Sequence, residues 1–138
     1  MINPMLAVKD VDASVKFYTE KLGFKHDFSM PGPDGKTFFG WVSLGKAAFG
    51  LQFVPDLDHR GNGVVFMIAV PEDTDIDQYY ADVQKKGVNI TDPIKDEYWG
   101  DRTFSVHDPD GYVLTPFKTV KQVSMEEIMA SMGGQGQS

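Results

Sequence analysis

The chain has 138 residues, of which 13 are Lys or Arg and 20 are Asp or Glu, so its formal net charge is −7; 41% of it is apolar and it has no cysteine. This length fits one domain, the negative field weighs against a nucleic-acid partner and would attract a cationic ligand, and the missing cysteines remove disulfides, thiolate metal sites and a cysteine nucleophile. No apolar run approaches the roughly 18 residues of a membrane span, and Met1 leads into a strand-like segment without a basic-then-apolar leader, so the expectation is a cytoplasmic protein with no membrane partner.

In chain order, Met5-Leu6-Ala7-Val8 is the first strand, and Met67-Ile68-Ala69-Val70 repeats it about 62 residues later. After the first copy, Asp10 or Asp12 can cap a helix whose apolar positions Val11, Val15, Tyr18 and Leu22 share one face, with Gly23 as its stop. An extended stretch from Phe24 to Ser29 follows. Leu44-Gly45-Lys46-Ala47 then suits a tight two-residue turn, and this register sets Trp41 opposite Gly50 and Phe39 opposite Gln52. Val42, Leu44, Phe49, Leu51 and Phe53 should therefore face the helix. Phe39, Trp41, Ser43, Ala48, Gly50 and Gln52 should face away from it, a mixture of large rings with small and amide side chains that suits a cleft wall better than a core.

The second copy leads to a helix capped by Thr74 or Asp75, with Ile76, Tyr79, Tyr80 and Val83 on its apolar face and a stop at Gly87. Val88 to Thr91 is extended, and Arg102–His107 and Tyr112–Phe117 form a hairpin around Asp108-Pro109-Asp110-Gly111, with Pro and Gly where a turn needs them. Ser124-Met125-Glu126-Glu127 is a capping box that opens a short helix to about Met132, with Met125, Ile128, Met129 and Met132 available to dock on its own or a partner's surface. Gly133 to Ser138 reads as a flexible tail. The organisation is α+β: two tandem βαβββ modules over about 1–58 and 59–118, with curved mixed sheets forming a ligand cleft, then the terminal helix and tail over 119–138.

The three histidines, His26, His59 and His107, have no ligand spacing. Ser105, His107 and Asp108 do not make a nucleophile relay, because residues two apart on one strand project side by side and the aspartate belongs to a turn. Gly61-Asn62-Gly63 leads into a strand, whereas a phosphate cradle opens a helix.

The two modules, with SVKFYTEKLGF at Ser14–Phe24 and WGDRTFSVHDPDGYVL at Trp99–Leu114, resemble the vicinal oxygen chelate superfamily of glyoxalases, extradiol dioxygenases and bleomycin-resistance proteins over about residues 1–118. The resemblance implies that metal-using members would place ligands at Asn3, Gln52, Val65 and Thr115. Those side chains are two amides, a hydrocarbon and a hydroxyl, and none is the imidazole, thiolate or carboxylate that holds a transition ion against water. A one-residue register slip reaches Ile2, Pro4, Leu51, Phe53, Val64, Phe66, Leu114 and Pro116, which are no better.

The expectation is a cofactor-free binder with no catalytic residue. Phe39, Trp41 and Trp99 would clasp a flat or amphipathic compound, with a cationic bleomycin-class antibiotic as the model, and Asn3, Gln52 and Thr115 would supply hydrogen bonds. Trp99 enters because it lies with Tyr98 among Asp96, Glu97 and Asp101, as aromatic and acidic groups do in the bleomycin-resistance proteins this stretch resembles. The resemblance also implies a homodimer with clefts shared between subunits. The alternatives are a divalent-metal-dependent glyoxalase-like lyase, isomerase or dioxygenase, with a ligand drawn from the Asp56-Leu57-Asp58-His59 loop, and a regulatory domain whose cleft is unused.

Overall fold

A computed structural model describes residues 2–136. Strand β1 (Met5–Val8), helix α1 (Val11–Lys16, continuing as a π-helical turn over Phe17–Lys21) and strands β2 (Lys25–Pro31), β3 (Thr37–Leu44) and β4 (Ala47–Phe53) form the first βαβββ module. Strand β5 (Val65–Ala69), helix α2 (Ile76–Lys85) and strands β6 (Asn89–Asp96), β7 (Asp101–His107) and β8 (Val113–Thr119) form the second. The sheet orders are β1-β4-β3-β2 and β5-β8-β7-β6. In each, the first strand runs parallel to the last and the other pairs are antiparallel, so both sheets are mixed, as the repeat implied.

The Asp10 carboxylate accepts a hydrogen bond from the Ala13 N–H at the start of α1, and Asp75 accepts from Asp77 N and Gln78 N at the start of α2. The first helix does not stay α-helical to Leu22. The Thr19 hydroxyl donates to the Val15 carbonyl (2.8 Å), and such side-chain back-bonding competes with the helical ladder. Leu22 N then reaches back five residues to Phe17 O. Val11, Tyr18 and Leu22 are nevertheless buried. The helix lies close on β3 at Gly40, where a Cβ would sit 2.9 Å from Val15 Cγ2 and 3.1 Å from Val11 Cγ1.

One apolar cluster joins the two modules. Phe49 of β4 meets Phe66 of β5 edge to face, with centroids 5.4 Å apart, and the Tyr79 hydroxyl of α2 donates to the Leu22 carbonyl (2.6 Å). The turn after β7 is the polar counterpart. Asp108 accepts from Tyr112 N and Asp110 N (both 2.9 Å) within the turn, and from the Tyr18 hydroxyl (2.7 Å) of the other module. Asp110 accepts from Lys9 N (2.9 Å) and Ser14 Oγ (3.4 Å), and lies 3.7 Å from Arg60 Nε, with both side chains of that ion pair buried. Arg60 also donates to Ala7 O (3.1 Å) and Pro55 O (3.0 Å), which fixes the connection between the modules.

Two expectations change. Strand β6 runs on past Thr91 to Asp96 with Pro93 inside it, which an edge strand tolerates because the proline needs no ladder donor; its pairing to β7 shifts register on either side of Asp92. Helix α3 (Met125–Gly136) continues four residues beyond Met132, so Gly133–Gly136 are helical rather than tail; residues 137–138 of the expected tail lie outside the described residues. The Ser124 cap is present, with Glu127 N donating to its hydroxyl (3.1 Å), but Met125, Met129 and Met132 stay exposed and only Ile128 is half-buried. Among the described residues, no helix is long and apolar enough to cross a membrane.

Candidate functional site

The β3–β4 ladder has the register read from the hairpin: Leu44 opposite Ala47, Trp41 opposite Gly50 and Phe39 opposite Gln52. Val42, Phe49 and Leu51 are buried on the helix side. On the opposite, open face, cross-strand partners form two rows. One runs Phe28, Trp41, Gly50, Met5 from β2 to β1, and the next runs Met30, Phe39, Gln52, Ala7.

Three rings tile this face with nearly parallel planes. Phe28 and Trp41 have centroids 6.4 Å apart and planes 9° apart, Phe39 and Trp41 are 6.3 Å and 22°, and Phe28 and Phe39 are 5.9 Å and 28°. Phe28 is 48% exposed, Met5 51% and Met30 41%, a contiguous apolar surface of the kind that marks a binding site. Phe28 was not identifiable from the sequence, because a register shift between His26 and Phe28 breaks the alternation that would have assigned its face.

The other candidates are spread out. Gln52 shares the aromatic face and is exposed. Asn3 is exposed just ahead of β1. Thr115 lies on the second sheet, opposite Met67, and its hydroxyl is hydrogen-bonded to Ser105 Oγ (2.8 Å). Trp99 sits at the β6–β7 turn, on the other sheet from Trp41, where its Nε1–H donates to Asp101 (2.8 Å) and its ring meets Tyr98 edge to face. The acidic groups around it have internal partners: Asp96 accepts from Arg102 (3.0 Å), Asp101 also accepts from Thr119 Oγ1 (2.7 Å), and Glu97 accepts from Thr103 Oγ1 (3.0 Å). The hydrogen bonds that Arg102 donates to Asp77 and then Asp96 raise its pKa, in keeping with a closed charge network.

The metal positions of the resemblance do not suit a divalent ion. Val65 has no donor atom, the Thr115 hydroxyl is engaged with Ser105, and Asn3 and Gln52 offer only neutral amides. Among the described residues, no three His, Cys, Asp or Glu side chains converge as metal ligands. Ser105 and Asp108 likewise have other partners, Thr115 and Tyr18, and form no relay with His107. A cavity of about 530 Å³ lies between the start of α1, the β2–β3 loop and the end of β4, lined by Lys9, Asp12, Lys36, Phe53 and Pro55 among others; it includes none of the stacked rings.

Paired βαβββ modules, each closed by a parallel first and last strand, with a ring-lined open face on the first sheet, define the structural class. The chain belongs to the Glyoxalase/Bleomycin resistance protein/Dioxygenase superfamily, whose model matches residues 2–115. It is 26% identical to an uncharacterized protein of Mycobacterium bovis, over 98% of this chain and 93% of that one. Its fold is similar to that of TioX from Micromonospora sp. ML1 (TM-score 0.71, 18% identity, 86% of this chain and 98% of that one). It is also similar to a glyoxalase-related enzyme from Clostridium phytofermentans (TM-score 0.68, 25% identity, 86% and 94%).

Proposed function

We propose that this protein is a metal-independent small-molecule-binding protein that sequesters a flat or amphipathic compound, such as a bleomycin-class antibiotic, on the open face of its first sheet. The observation that carries the reading is the parallel array of Phe28, Phe39 and Trp41, with Phe28 about half exposed and the other two partly so. Stacking on such rings contributes about 0.5–1.5 kcal/mol per aromatic contact beyond area burial. No bond-making group is needed for that task, and the weak donors at the metal positions agree with it. Val65 (57% exposed) and Met67 (51%) leave the second sheet's open face uncovered as well, which supports a homodimer in which each copy shields part of the other's open faces.

The test is tryptophan fluorescence titration with planar aromatic antibiotics, comparing the wild-type chain with Trp41→Ala, alongside elemental analysis of the purified protein. Binding that quenches the wild type and weakens roughly tenfold in Trp41→Ala supports the reading. Stoichiometric metal on which an activity depends would replace it with the lyase, isomerase or dioxygenase alternative. Titrations without response across the panel would leave a regulatory domain.

A further inference from the structure

We infer that the ligand of the aromatic face is a planar, uncharged aromatic compound with an amide-type edge, seated along β4 in the slot that Met5 fills in this structure. The inference rests on the proposed binding function and narrows it: for the same face it replaces the cationic antibiotic model with an uncharged ligand class.

Strand β4 turns Ala48, Gly50 and Gln52 toward that face, with Trp41 and Phe39 on one side and Met5 on the other. The φ angle of Gly50 is not positive, so the backbone does not require glycine there. Close approach does: a Cβ on Gly50 would fall on the Met5 sulfur, with Met5 Cε at 3.0 Å and Phe39 Cζ at 3.1 Å. Gly50 therefore opens a slot in the sheet surface beside Trp41, and a thioether fills it. That filler is removable, because Met5 is half exposed and an unbranched methionine has three rotatable bonds. A flat ring entering the slot would displace it and lie against Trp41.

Among the described residues, the charged side chain that the ladder places beside this face is matched. Lys25, opposite Ser43, pairs with Asp27 (3.7 Å), and the carboxylates near Trp99 are held by their own partners on the other sheet. An ionic ligand head would lose water here without gaining a counter-charge. Gln52 closes the slot opposite Phe39; among the described residues, no side-chain hydrogen bond engages its carboxamide. A carboxamide presents a donor and an acceptor side by side, and the matching edge is another amide or a lactam.

Isothermal titration calorimetry with three probes that share one ring system tests this: 2-naphthamide (uncharged), 2-naphthylmethylammonium (cationic) and 2-naphthoate (anionic). The expected result is that 2-naphthamide binds the wild-type chain at least about tenfold more tightly than either ion. Gly50→Ala, which fills the slot, should lose about tenfold for the amide, Gln52→Leu should erase the preference for it, and Met5→Ala, which empties the slot, should bind it more tightly than wild type. Trp41-dependent binding in which an ion equals or exceeds the amide, or in which folded Gly50→Ala titrates like wild type, overturns this inference while leaving the binding function intact. If Gly50→Ala does not fold, the charge series and Met5→Ala decide. Binding by none of the probes, or binding unchanged in Trp41→Ala, overturns both.

Discussion

Tyr18→Phe removes one oxygen, and with it the 2.7 Å hydrogen bond by which the first module grips Asp108 in the second. Tyr18 is fully buried and Asp108 nearly so, which means water cannot replace the lost donor. A hydrogen bond to a charged partner contributes about 1.5–3 kcal/mol, so the variant should lose roughly 2 kcal/mol at neutral pH. In urea that loss lowers the midpoint by about 1 M, taking a slope of about 2 kcal/mol/M. The penalty should also depend on pH. Burial raises the Asp108 pKa, and the bond from Tyr18 is the largest effect lowering it again. A folded-state pKa above the unfolded one favours folding fully below the unfolded value, and that contribution is lost as pH rises through the folded value. Tyr18→Phe pushes the folded value higher, so the gap between variant and wild type should be small below the unfolded carboxylate value and widen as pH rises through the raised folded values. Urea melts followed by circular dichroism at several pH values measure this. A gap below about 0.5 kcal/mol at neutral pH, or one that narrows as pH rises, would refute the assignment of Asp108 as a buried, charged acceptor.

Arg60→Met leaves Asp110 buried without its cation, removes the donor to the Pro55 carbonyl and leaves Ala7 O with the Tyr112 hydroxyl alone, so a loss of about 3–5 kcal/mol in urea unfolding is expected. Adding Asp110→Asn should restore part of it; a double variant whose loss equals the sum of the singles would deny the pair any coupling. Gly40→Ala drives a methyl into Val11 and Val15, and overpacking of about 1–3 kcal/mol should lower Tm by roughly 3–10 °C, checked by calorimetry.

The β3–β4 register was legible in the sequence because a two-residue turn fixes every pair that follows it, and the helix faces were legible because their apolar spacing is local. Asp108 and Asp110 read only as turn residues. Their partners Tyr18 and Lys9 are 90 and 101 residues away, and no local pattern encodes such a pairing. Arg60 lies in a polar stretch that gives no hint of burial. Of the proposed site, the Phe39–Trp41–Gln52 part followed from alternation, whereas Phe28 was hidden by the shift at Asp27. Trp99 was drawn in by its acidic surroundings, whose charges prove to be spent on Arg102, Thr119 and the indole itself. The methionines of α3 satisfy a helical period, yet the helix leaves them outside; periodicity names a face without saying what covers it.

The capping of β1 bears on how copies of this chain meet. The strand uses the backbone of Pro4 and Val8 toward β4, so Ala7 and Lys9 direct theirs outward, where an unguarded border strand would invite a stranger's backbone. Ala7 O and Lys9 N are already taken: Arg60 and the Tyr112 hydroxyl (2.8 Å) donate to the first, and Asp110 accepts from the second. Uncontrolled strand-to-strand growth is blocked along that rim, and self-association there is left to side-chain surfaces, which fit one partner at a time.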